Sequence, residues 1–131
     1  MRINDTTYQI RGAIYDVYNE LGPGLLENIY ERALIIELKS RGLKVENQVS
    51  INVVYKGIDL GLQYRIDILV EDTVVVELKS VETLLPVFHK QVANYLKLSD
   101  KPLGILVNFN TTDLNSNIIR IANSPHHPDL G

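Results

Sequence analysis

The chain has 131 residues, with 13 Lys+Arg against 16 Asp+Glu for a formal charge of −3, and no cysteine. At this length folding buries about two-thirds of the unfolded chain's surface, so a core forms without a disulfide or metal, and the missing cysteines exclude disulfide scaffolds, thiolate zinc sites and cysteine nucleophiles. A composition of 45% hydrophobic and 22% charged residues is ordinary for a globular domain, while the acid excess argues against holding nucleic acid by bulk charge alone.

The start, MRINDTTYQIRG, has no apolar segment of signal-peptide type, and no run approaches ~18 apolar residues. A cytoplasmic protein of one domain over residues 1–131 is expected, with no membrane association. Ile10, Ala13, Ile14, Val17, Tyr18 and Leu21 follow helical spacing and predict a first helix over 6–21, with Asp5 or Thr6 as N-cap. Gly22-Pro23-Gly24 breaks it, a second helix fits 25–41, and Gly42 caps that one.

The period then changes to two. Val49, Ile51, Val53 and Tyr55 alternate with more polar residues and predict a strand ending at Lys56-Gly57. Residues 58–62 read as a continuing hairpin, 64–70 and 73–78 as further strands, with Glu71-Asp72 as turn chemistry. The unbroken Val74-Val75-Val76 implies a strand covered on both faces. Leu84, Leu85, Phe88, Val92, Tyr95, Leu96 and Leu98 suit a helix that tolerates Pro86 only in its first turn. Residues 103–109 form another buried strand, 113–122 a short closing helix, and 124–131 a loose tail. The order α-α-β-β-β-α-β-α is an α/β fold with a mixed central sheet flanked by helices.

Asp67, Glu77 and Lys79 are charged groups inside apolar strands. If residues 71–73 form a three-residue loop, 70 pairs with 74 and 67 lies opposite 77, so the two carboxylates share a face with Lys79. A two-residue loop sends them to opposite faces; the clustered version is preferred. Carboxylates held about 5 Å apart repel, and burial raises the cost of ionising both unless a cation lies between them. Oxygen ligands of this kind suit Mg²⁺ or Mn²⁺. The plainer reading is a structural ion pair.

Three further positions bear on the choice. Glu27 and Tyr30 share a helix face at i, i+3, although an acid in a first turn also answers the helix dipole. Gln91 and Tyr95 form an i, i+4 pair on the helix after Glu77, where Tyr95 also suits the core. His89, His126 and His127 have no ligand spacing and are assigned to the surface. Arg32, Lys39, Arg41 and Lys44 make either a basic patch or a solvated helix face.

Gly24-Leu25-Leu26-Glu27-Asn28-Ile29-Tyr30, Arg65-Ile66-Asp67, Val76-Glu77-Leu78-Lys79, Gln91-Val92-Ala93-Asn94-Tyr95 and Gly104-Ile105-Leu106-Val107-Asn108-Phe109 together resemble the small bacterial and archaeal GxxExxY proteins, a branch of the PD-(D/E)XK nuclease superfamily. The resemblance runs from about Tyr8 to Ile121, far beyond a bare Asp…Glu-x-Lys signature. It implies a restriction-endonuclease-like α-β-β-β-α-β core, with Asp67, Glu77 and Glu27 as metal-binding acids and Lys79 as the motif lysine. Gln91 and Tyr95 match a Gln-x-x-x-Tyr helix motif, and with Tyr30 they are expected to contact substrate or support the site. Ile66 stands where the superfamily has proline. The implied activity is Mg²⁺- or Mn²⁺-assisted hydrolysis of a phosphodiester in DNA or RNA. The alternatives are a non-catalytic nucleic-acid binder in the same cleft and a homo-oligomeric interaction module, with a homodimer as the simplest form.

Overall fold

The computed structural model describes residues 2–123. Helix α1 (Ile3–Leu21) buries Ile10, Ala13, Ile14 and Val17, the stripe its periodicity predicts, and α2 (Glu27–Ser40) buries Tyr30, Leu34 and Leu38 at four-residue spacing. Strands β1 (Val45–Tyr55), β2 (Ile58–Val70), β3 (Val74–Lys79), β4 (Leu103–Asn108) and β5 (Ile118–Ala122) form one sheet in the order β1-β2-β3-β4-β5. β3 and β4 are parallel and joined by α3 (Pro86–Ser99); the other neighbouring pairs are antiparallel. Pro86 occupies the first turn of α3, where its missing N–H costs nothing.

Helices α1 and α2 cover one face of the sheet. Their side chains share a core with Ile68, Val70, Val74, Val76, Leu78, Ile105 and Val107. On the other face, Val92 and Leu96 of α3 pack with Ile66, Leu69, Val75 and Leu106. Val74, Val75 and Val76 therefore contribute to both layers, which is why this stretch shows no polar alternation. The α/β class and the mixed, helix-flanked sheet agree with the sequence reading.

Two elements differ from it. Residues 58–62 and 64–70 are one strand, because a register shift opposite Asn52 and Val54, with Gly61 at positive φ, absorbs the irregularity between them. The closing helix expected over 113–122 is absent; a 3-10 turn at Asn115–Asn117 leads into β5. Asn117 Nδ2 donates to the Asp113 carbonyl (2.9 Å) and to Thr111 Oγ1 (3.1 Å), so polar side chains compete locally with helical bonding. The following Ile118, Ile119 and Ile121 suit an extended partner for the open edge of β4. The tail expected at 124–131, with His126 and His127, lies outside the described residues. Among the described residues no helix is long and apolar enough to cross a membrane.

Candidate active site

The β2–β3 turn sets the register of the site. Val70 pairs with Val74, Leu69 with Val75 and Ile68 with Val76, leaving residues 71–73 as a three-residue loop. Glu71 and Asp72 adopt positive φ (52° and 53°), and Thr73 N donates to the Val70 carbonyl at 3.0 Å. Continued one step, this register sets Asp67 against Glu77. At that step side chains replace the backbone ladder. Asp67 N donates to Glu77 Oε1 (2.9 Å), and Leu78 N donates to Asp67 Oδ2 (3.0 Å).

The pleat is broken at the same level on the other side of β2. Asn47 pairs with Ile68 and Val49 with Ile66, but Gln48 between them takes φ 52°. Ile66 and Ile68, two residues apart, consequently enter different core layers. Strict strand alternation, the basis of the one-face expectation, does not hold at Asp67. The two carboxylates meet at a split in the sheet, each holding a backbone amide next to the other.

Glu77 is only 5% exposed. Burial, followed by the charge of Asp67, pushes its carboxyl up to about 9, with Lys79 opposing both. Lys79 Nζ sits 4.7 Å from the Phe88 ring centroid, which steadies the ammonium beside the acids. Burial also raises Glu27, again against the pull of Lys79. Tyr95 is raised by burial and by the nearby charges of Glu77 and Asp67, and its ring lies 5.2 Å from that of Tyr64. Asp67, Glu77, Lys79, Glu27 and Tyr95 thus share one electrostatic neighbourhood.

A cavity of about 160 Å³ opens on the α2 side of the split, lined by Glu27, Asn28, Glu31, Gln48, Asp67 and Leu78. A larger one, about 590 Å³ between α1 and β5, contains none of the sequence-predicted site residues. Glu31 and Gln48 escaped the sequence reading. Gln48 Nε2 donates to Glu31 Oε1 at 2.7 Å, and burial raises the Glu31 carboxyl. The i, i+4 spacing of Glu27 and Glu31 was the available signal for Glu31. Gln48 had none, because a positive φ at a non-glycine residue within a strand carries no signature in the sequence.

Among the described residues no group of three or more His, Cys, Asp or Glu side chains is placed to hold a metal ion. Glu27 therefore faces Asp67 across the cavity without completing a three-carboxylate cage with Asp67 and Glu77. Gln91 is exposed on α3, and so is His89. Of the basic candidates, Arg41 is tied to Asp16 (2.7 Å) and Gln9 (2.8 Å), and Lys44 approaches Glu46 at 3.6 Å. Those two charges are locally answered and do not make a free basic patch.

Tyr30 is fully buried and stacks on Phe109 at 4.4 Å between centroids. Its hydroxyl donates to the Gly22 carbonyl (2.5 Å) and accepts from Leu25 N (3.1 Å), while Ser80 Oγ donates to the Leu25 carbonyl (2.5 Å). The loop between them needs Gly24 at φ 94°, a region that favours glycine. Spacing in this segment thus has a mechanical meaning: Tyr30 clamps the loop that delivers Glu27 to the cavity. Tyr30→Phe, which leaves a half-buried carbonyl and amide without their partner, is expected to cost about 1–2 kcal/mol in urea denaturation.

The family model of the PD-(D/E)XK nuclease superfamily matches residues 4–121. The chain belongs to that superfamily. No curated protein and no solved structure matches it.

Proposed function

We propose that this protein is a divalent-metal-dependent phosphodiester hydrolase of the GxxExxY branch, acting on DNA or RNA. The carrying observation is the pair Asp67 and Glu77 at the split between β2 and β3, with one buried carboxyl pushed up to about 9 by burial and by its neighbour's charge. Two carboxyl groups so placed form an oxygen donor set of the kind that suits a hard divalent cation, Mg²⁺ or Mn²⁺. The residues present fit such an ion as a two-carboxylate site, and Glu27 and Glu31 are further acids lining the cavity that Asp67 lines. When bound, the cation would supply Lewis-acid polarisation of a phosphodiester and a lowered pKa for water.

The chain's own groups set the rest. Asp67 is oriented by the Leu78 amide and Glu77 by the Asp67 amide, so both are fixed by backbone and not by flexible side chains. Glu77 gives up its proton before it can serve as an anionic ligand. Lys79, held against Phe88, offsets negative charge gathered on a substrate phosphate or holds a proton of the attacking water. Tyr95, close to both carboxyls, is the aromatic group next to the reacting position, and Gln91 lies one turn before it on α3.

Cleavage of single- and double-stranded DNA and RNA with Mg²⁺ or Mn²⁺, against Asp67→Ala and EDTA controls, tests this reading. Lys79→Ala is expected to lower kcat about 10²- to 10³-fold while a Mn²⁺ titration gives an affinity within a few-fold of the parent. Cleavage that survives Asp67→Ala and Lys79→Ala, or saturable binding with no product, overturns it.

A further inference from the structure

The two aromatic pairs among the described residues differ in what they leave open. Tyr30 and Phe109 are parallel within 5° and both fully buried, so neither ring has a free face. Tyr64 and Tyr95 lie 5.2 Å apart and are tilted by 50°, and Tyr64 is 45% exposed. Past Ile66 the strand β2 leaves the cover of the helices, and residues 58–65 are all exposed. Tyr64 is the one aromatic residue in that stretch.

The sheet and α3 together fix where this ring stands. Tyr64 pairs with Ile51 of β1, which belongs to the α3-side core layer, so Tyr64 stands on the same face. Tyr95 meets it from α3. Phe88 belongs to that layer as well and brings the Lys79 ammonium to this side, 4.7 Å from its ring centroid. Along β2, Tyr64 precedes Asp67 by three residues, about 10 Å of strand. The open aromatic face is thus continuous with the carboxylates and the lysine of the candidate active site.

Charge gives little to hold a polyanion there. The chain carries −3 overall, and Arg41, Lys44 and Lys101 are answered by Asp16, Glu46 and Asp72. Affinity for a nucleic acid then has to come from a contact that does not depend on the number of phosphates neutralised. Stacking of a base on an aromatic ring is such a contact, and every base offers a π face for it. Within a duplex both faces of a base are already covered by its neighbours, so the base that stacks is an unpaired one.

Resting on the hydrolase reading above, we infer that Tyr64, braced by Tyr95, is the platform on which an unpaired nucleobase stacks beside the cleaved phosphate, and that the substrate is a single strand. Tyr64 decides which substrate is held, while bond breaking stays with Asp67, Glu77 and Lys79.

Fluorescence anisotropy of the full chain in EDTA, with a labelled oligothymidylate about 12 nucleotides long, tests the platform without cleavage. This strand is expected to bind at least about tenfold tighter than an abasic strand of the same length, and than its own duplex with oligoadenylate. Oligouridylate run in parallel distinguishes RNA from DNA as the source of the base. Tyr64→Leu keeps an apolar side chain but removes the ring, and is expected to lose about tenfold or more with an unchanged circular dichroism spectrum; Tyr64→Trp is expected to restore the affinity. Raising salt from about 50 to 200 mM should weaken binding less than about fourfold, as for about one phosphate contact. In Mg²⁺, Tyr64→Leu is expected to raise KM for the single strand about tenfold with kcat within a few-fold of the parent. Equal affinity for the abasic strand, or a Tyr64→Leu protein that binds like the parent, overturns the inference, and metal-dependent product would still uphold the hydrolase. Base-dependent binding that Tyr64→Leu abolishes, with no product in Mg²⁺ or Mn²⁺, upholds the platform and overturns the hydrolase instead.

Discussion

Glu77→Gln is expected to lower metal-dependent cleavage by about 10³-fold or more while leaving the melting temperature at pH 7, in EDTA, within a few degrees of the parent. The two halves of this result have one cause. With its carboxyl pushed up to about 9, Glu77 is neutral at pH 7 in the metal-free fold, hydrogen-bonded to Asp67 and accepting the Asp67 amide. An amide has the same shape, accepts through the same oxygen and donates where the protonated carboxyl donates, so the fold loses little. What the amide cannot do is become an anion. Asp67→Ala provides the contrast, because it removes the acceptor for Leu78 N and is expected to cost about 1–3 kcal/mol as well as activity. Parallel melts and cleavage assays of the two variants check the pattern. A Glu77→Gln protein that still cleaves at the parental rate would place the chemistry elsewhere.

The second large effect is on pH. Glu77 has a folded pKa of about 9 against an ordinary value of 4.5, so between those limits the folded chain holds a proton that the unfolded chain does not. Its contribution to stability is fully present below about pH 4.5 and is lost as pH rises through the folded pKa. The slope approaches about 1.4 kcal/mol per pH unit for one proton. Urea denaturation in EDTA from pH 5 to pH 9 is expected to show this decline, and Glu77→Gln to remove it. Metal affinity runs the opposite way. An ion that needs the carboxylate displaces the proton, so Mn²⁺ affinity is expected to rise about tenfold per pH unit below pH 9. Calorimetry in buffers of different ionisation enthalpy would count the proton released. A flat stability profile together with a pH-independent affinity would mean that Glu77 is charged in the metal-free fold.

Much of the site was legible because its parts are local. Glu71, Asp72 and Thr73 specify a three-residue turn, and a turn of known length fixes which residues oppose each other on the strands it joins. The partnership of Asp67 with Glu77 was therefore the preferred of two readings, which the three-residue loop decides, while the helix that carries Glu27 and the break before it followed from spacing alone. Three features did not. Gln48 reaches Glu31 only because β1 takes a positive φ at the level where β2 breaks. The carboxylates replace ladder bonds only because the strands part there. Tyr30, which helical spacing places beside Glu27, turns inward onto Phe109 and clamps the preceding loop, a role that depends on a ring from β4's far end.

By itself the sequence determined the helices α1, α2 and α3, the twice-covered β3, the buried β4, and the acids and lysine that carry the family pattern; it narrowed the register of β2 on β3 to two choices. Each is set by side-chain period, by a turn or by a breaker acting within a few residues. Tertiary structure decided the rest. Residues 118–122 became a strand because the edge of β4 offers unpaired backbone that an isolated segment cannot anticipate. The protonated state of Glu77 was likewise invisible in the chain, since it arises from burial and a second carboxyl brought across ten residues of hairpin. Tertiary structure likewise left Tyr55 exposed at the outer end of β1, although period-two alternation groups it with the buried Ile51.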